Sequence, residues 1–86
     1  MWTIKLSKRA LKDRQLLAQA GLETKARNLL ALMSIDPFIN PPGYEKLIGD
    51  YKGCYSRRIN YKHRLVYSVN DEEHTIYVLI MWSHYE

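Results

Sequence analysis

The chain has 86 residues, 47% hydrophobic and 26% charged, the balance of one folded domain; a disordered tail or a second core is excluded. Thirteen Lys and Arg against nine Asp and Glu leave a net charge of +4, so a polyanion is a more natural partner than a basic protein. A single cysteine, Cys54, excludes an internal disulfide, and the opening Met-Trp-Thr-Ile-Lys carries no apolar leader; both point to the cytoplasm. The longest apolar run, Ile76 to Trp82, falls well short of the ~20 residues that cross a bilayer, so no membrane role is expected.

Trp2 to Leu6 alternates apolar and polar residues and predicts a short strand. Ser7 is a candidate N-cap for a helix from Lys8 to about Ala20, where Gly21 offers a stop. A second helix fits Leu22 to Ile35 and ends at Asp36-Pro37. The stretch 36–53 holds all three prolines and three of the four glycines, and it predicts a long connecting loop with a functional role. Tyr55 to Ile59, Arg64 to Val69 and Thr75 to Trp82 predict three strands, turning at Asn60 to His63 and Asn70 to Glu73. The expected fold is a single α+β domain over residues 1–86, ordered β-α-α-β-β-β, with an antiparallel sheet packed on two N-terminal helices. Uninterrupted alternation would place Ile76, Val78, Ile80, Trp82 and His84 on one side of the last strand.

The charge is uneven. Residues 51–67 carry five basic side chains and no acidic one, whereas residues 68–86 carry four acidic and no basic. Within the basic block Lys52, Arg57, Arg58, Lys62 and Arg64 alternate with Tyr51, Tyr55, Tyr61 and Tyr67. Cations neutralise phosphates and tyrosine rings stack on bases, which points to single-stranded RNA. The plainer reading is that tyrosines build strands and arginines solvate a sheet face.

No His-Glu-x-x-His, cysteine pair or glycine-rich phosphate loop is present, so neither a metal site nor a nucleotide cofactor is expected. Cys54 reads as a small packed side chain, and His63 and His74 lie in or beside turns. A Glu, Arg, His and Tyr set remains, and RNA cleavage can run on such a set. The 2′-hydroxyl beside the scissile phosphate is the nucleophile; a carboxylate can remove its proton, an arginine can stabilise the phosphorane and an imidazole can protonate the leaving oxygen. Glu45, Arg64 and His84 are the candidates; the competing readings are a solvated loop carboxylate, a surface cation and a chain-end histidine.

Gly-Cys-Tyr-Ser-Arg-Arg-Ile at 53–59, His-Arg-Leu-Val-Tyr at 63–67, Asp-Pro-Phe at 36–38 and the closing His84-Tyr85 resemble the YoeB/Txe family of toxins, within the RelE/ParE superfamily of toxin–antitoxin systems. The resemblance implies a RelE-like fold and a metal-independent endoribonuclease that cuts mRNA in the ribosomal A site. It assigns Glu45 as general base, Arg64 as phosphate stabiliser, His84 as general acid and Tyr85 as a positioning group. Arg58 matches an arginine placed near the phosphate backbone, and Arg57 joins it as an expected RNA contact. The family's loop commonly reads Glu-Pro-Leu-Lys where this chain has Glu45-Lys46-Leu47-Ile48, so Lys46 or Lys52 is expected to replace that lysine. The resemblance further implies a YefM/Axe-like antitoxin, the ribosome and mRNA as partners, pairing of two copies as in many members, and no cofactor. The alternative within the superfamily is a ParE-like toxin that inhibits DNA gyrase without cutting RNA.

Overall fold

The computed structural model describes residues 1–82. In chain order the elements are β1 (Thr3–Leu6), α1 (Lys8–Gln19), α2 (Glu23–Ile35), β2 (Tyr44–Lys46), a 3-10 turn (Gly49–Tyr51), β3 (Tyr55–Arg58), β4 (Arg64–Asn70) and β5 (Thr75–Ile80). The helix signals act as expected. Ser7 Oγ accepts the Ala10 N–H at 3.0 Å and donates to Leu79 O at 2.8 Å, which caps α1 and ties it to β5. Gly21, at φ +74°, closes α1 in a left-handed cap: Leu22 N–H reaches Leu17 O at 2.8 Å and Gly21 N–H reaches Ala18 O at 3.2 Å.

Both helices lie on one sheet face. Ala10 and Leu17 of α1 and Ala26, Leu29 and Met33 of α2 form one buried core with Leu65, Tyr67, Ile76 and Val78 of the sheet. The strand order is β1-β5-β4-β3-β2. Neighbours are antiparallel except β1 and β5, which run parallel, so the sheet is mixed and not wholly antiparallel as expected. Short hairpins fix the direction of β3, β4 and β5; β1 is separated from them by both helices and obeys no such constraint.

Two further departures shape the site. The loop expected over 36–53 contains β2, a three-residue edge strand paired to β3. In addition, β5 ends at Ile80 and is interrupted: Val66 opposes Ile80 and Tyr67 opposes Val78, leaving Leu79 as a bulge. Alternation breaks there. Ile76 and Val78 face the helices, while Ile80 joins Val66 and Leu47 in a second cluster on the opposite face, with Leu79, Tyr51 and Cys54 against it. The single side expected for residues 76 to 84 is therefore broken at Ile80; Trp82 packs again against the cluster of Ile76 and Val78, and His84 lies outside the described residues.

The chain beyond the bulge is clamped by α1. Asp13 is buried at 5% exposure, and its Oδ2 accepts the Met81 N–H at 3.0 Å and lies 3.5 Å from Arg9 Nε. Trp82 follows, stacked on His63 with ring centroids 3.8 Å apart. Asp13→Ala would leave the Met81 N–H buried without an acceptor, so it should destabilise the fold by about 1–3 kcal/mol, read as a lower urea midpoint. A midpoint equal to wild type would show that the clamp contributes nothing.

Candidate active site

The sheet face away from the helices holds the site. Glu45 on β2 opposes Ser56 on β3, Ser56 opposes Val66 on β4, and Arg58 opposes Arg64. Because side chains alternate along a strand, Glu45, Ser56, Arg58 and Arg64 emerge on this one face. Together with Gly43 and Tyr44 they line an open cleft. Within it, Arg64 Nη1 donates to Ser56 Oγ at 3.2 Å and to Glu45 Oε1 at 3.5 Å.

Exposure differs sharply between the ion-paired groups. The Arg64 side chain is 17% exposed and the Glu45 side chain 61%. The guanidinium is therefore set into the floor, while the carboxylate stands at the rim, open to solvent or substrate. Two arginines against one carboxylate leave the cleft cationic, which suits a phosphodiester. Ser56, which the sequence does not mark as a site residue, is buried at 1% exposure and holds Arg64 in place. Its signal is positional, since alternation from Arg58 puts it on the cleft side.

The remaining candidates divide. Arg58 lines the cleft and is exposed. Lys46 is exposed but alternates to the opposite face of β2 from Glu45. Lys52 is exposed at the end of the 3-10 turn, whose Tyr51 packs on the cluster of Leu47, Val66 and Ile80.

Arg57 corrects an expectation. It is 1% exposed, and its donors go to Pro37 O, Ile39 O, Pro42 O and the Tyr67 hydroxyl, so it cannot reach RNA. Its neighbours on alternation, Tyr55 and Ile59, pack in the helix-side core, and Arg57 points the same way.

His84 and Tyr85 lie outside the described residues. The described chain leaves the sheet at Ile80, opposite Val66 and two residues along β4 from Arg64. His63 is buried against Trp82, and His74 stacks on Trp2 at the far end of β4. Burial pushes the Cys54 thiol above its ordinary value, so it is not an activated nucleophile at neutral pH. Among the described residues no group of His, Cys, Asp and Glu is placed to hold a metal ion, and no helix is long and apolar enough to cross a membrane.

The family model for the YoeB-like toxin of bacterial type II toxin–antitoxin systems matches residues 7–85. The YoeB/ParE toxin from Agrobacterium tumefaciens is similar at 27% identity and a TM-score of 0.86, over 96% of this chain and 99% of that one. YoeB from Staphylococcus aureus, solved in a heterotetrameric complex with YefM, is 32% identical with a TM-score of 0.81 and 99% of each chain covered. The same protein solved as a dimer gives 32% identity and a TM-score of 0.79 over 98% of each chain. Toxin from the Escherichia coli RelBE complex shares the fold, at 21% identity and a TM-score of 0.76 over the full length of both chains. A comparison with curated proteins gives no match. With its RelE-like α+β fold and a family match running from Ser7 to Tyr85, the chain belongs to the YoeB-like toxins of bacterial type II toxin–antitoxin systems.

Proposed function

We propose that this toxin is an endoribonuclease that cuts mRNA in the ribosomal A site and so blocks translation, using side chains and the 2′-hydroxyl of the RNA without a metal. The observation that carries the reading is the convergence of Glu45 and Arg64, 3.5 Å apart in a cleft that Arg58 also lines. A base and a phosphate-binding cation at that separation match the two ends of one reacting unit, the attacking hydroxyl and the phosphate it attacks. Glu45, exposed at the rim, takes the 2′-proton; Arg64, supported by Ser56, and Arg58 take the charge that grows on the phosphorane oxygens. His84 gives a proton to the departing 5′-oxygen and Tyr85 positions the substrate, the roles that the family resemblance implies for them.

The partners follow from the same cleft. A YefM/Axe-like antitoxin with an acidic segment would neutralise the arginines and cover Glu45, folding as it binds. Two copies pair, and the protein acts in the cytoplasm. The direct test is to add the protein to ribosomes programmed with mRNA and map the RNA ends, beside Glu45→Gln and His84→Gln. New ends within the A-site codon that form about 10²- to 10⁴-fold more slowly in both variants are expected. Intact mRNA, with DNA supercoiling by gyrase inhibited instead, would replace this reading with the ParE-like one.

A further inference from the structure

Burying a guanidinium is costly unless fixed dipoles replace its water. For Arg57 the replacement comes largely from one segment. Its Nη1 donates to Pro42 O at 2.6 Å, and its Nη2 donates to Pro37 O and Ile39 O at 2.9 Å each. Its Nε donates to the Tyr67 hydroxyl at 3.2 Å, which in turn donates to Pro37 O at 2.8 Å. Burial pushes the Tyr67 phenol above its ordinary value, more than the adjacent Arg57 pulls it down, so it remains a proton donor. Residues 37–42 are thus wrapped around a cation, and they lead directly into β2.

The wrapping continues into β2. Tyr44 pairs with Arg57 in the ladder, and its ring lies 5.0 Å from the guanidinium carbon. Phe38 packs edge-on to Tyr55 at 5.1 Å, closing the same enclosure. Yet β2 is a three-residue edge strand that pairs with β3 alone. Short edges open locally at little cost, so a strand this small depends on what anchors its entry.

We infer that Arg57 is the positioning residue of Glu45: its guanidinium is the template on which residues 37–43 close, and that closure seats the Glu45 carboxylate against Arg64. The inference rests on the reading of Glu45 as the general base. It differs from a general stabilising role because the contacts of Arg57 converge on the entry to one strand. Lysine would keep the charge but lose the planar fork that reaches three carbonyls at once.

The test is Arg57→Lys, with Tyr67→Phe as a milder second variant that removes the hydroxyl linking Arg57 Nε to Pro37 O and leaves the three carbonyl contacts of the guanidinium in place. In mRNA cleavage the lysine variant should lose about 10- to 100-fold in kcat, the cost of a small misplacement of a reacting group, while KM stays within about 3-fold. In a Glu45→Gln background it should cost less than about 2-fold further, since it acts through Glu45. Hydrogen exchange reads the same point without any cleavage. The amides of this edge that face β3, those of Glu45 and of Leu47, whose N–H donates to Cys54 O at 3.0 Å, should exchange about 10²-fold faster, while those of β4 and β5 stay within about 3-fold.

The phenylalanine variant should show the same pattern at about 3- to 10-fold, and it decides the matter if the lysine variant does not fold. Unchanged exchange at Glu45 and Leu47, or an equal rise across the whole sheet, overturns the inference. A wild type that leaves RNA intact overturns the ribonuclease reading instead, and the exchange maps then decide the role of Arg57 by themselves.

Discussion

Arg64→Ala should lower the single-turnover rate of mRNA cleavage by about 10²- to 10³-fold, the usual loss when a fixed donor to a developing oxyanion is removed. Arg64 is suited to that part because it is already immobile: Ser56 Oγ and Glu45 Oε1 hold one nitrogen, and only 17% of the side chain is exposed. A donor held before substrate arrives needs no reorganisation in the transition state. Stability should change far less. The paired carboxylate is 61% exposed, so the ion pair contributes no more than about 1 kcal/mol after solvent screening. That corresponds to a shift of about 4–8 °C in Tm for a domain of this size, which leaves the variant folded at assay temperature. Arg64→Lys separates charge from geometry. It keeps the positive charge but offers a single nitrogen, and it should recover about 10-fold over alanine without reaching wild type. An alanine variant that cuts within about 3-fold of wild type would remove Arg64 from the mechanism.

The parts of the fold that rest on local chemistry were readable from the sequence. Ser7 and Gly21 bracket α1 through hydrogen bonds made within a few residues, and such bonds leave a residue-type signature. The edge strand β2 left none. Its three residues follow Pro41-Pro42-Gly43, and its reason for being extended is β3, whose paired residues lie nine to thirteen positions further on. The bulge at Leu79 was hidden for a similar reason, since it arises from the pairing of β4 with β5 and not from any glycine or proline in Thr75–Ile80.

The two adjacent arginines show where a finer reading was available. In Tyr55-Ser56-Arg57-Arg58-Ile59, alternation groups Arg57 with Tyr55 and Ile59, two residues of core character, and groups Arg58 with Ser56. Charge alone groups all five cations at the surface, whereas alternation puts Arg57 inside, where it lies. For the site itself, the residue types were legible but not their meeting. Glu45 and Arg64 are nineteen positions apart and come together because β3 lies between β2 and β4.

Replacing the ribose at the cleaved position with 2′-deoxyribose should bring cleavage below detection, a larger effect than any side-chain change. Each acid or base contributes about 10²- to 10⁴-fold, and removing one leaves the rest working; removing the nucleophile leaves nothing for Glu45 to activate. Binding should barely move, because on the proposed mechanism Arg58 and Arg64, which line the cleft, take the phosphate, and deoxyribose keeps the phosphate. The deoxy-substituted mRNA should therefore compete with ordinary mRNA at a Ki within about 3-fold of the natural substrate's Kd. The products carry the complementary signature. Attack by the 2′-oxygen expels the 5′-oxygen and must leave a 2′,3′-cyclic phosphate on one fragment and a 5′-hydroxyl on the other. Attack by water would instead leave a linear phosphate from the first turnover and would tolerate the deoxy sugar. Continued cutting of the deoxy substrate would therefore remove Glu45 from its place as base toward the 2′-hydroxyl, even if Arg64→Ala were inactive. The pair of results separates a cleft that merely binds phosphate from one that converts a neighbouring hydroxyl into its attacker.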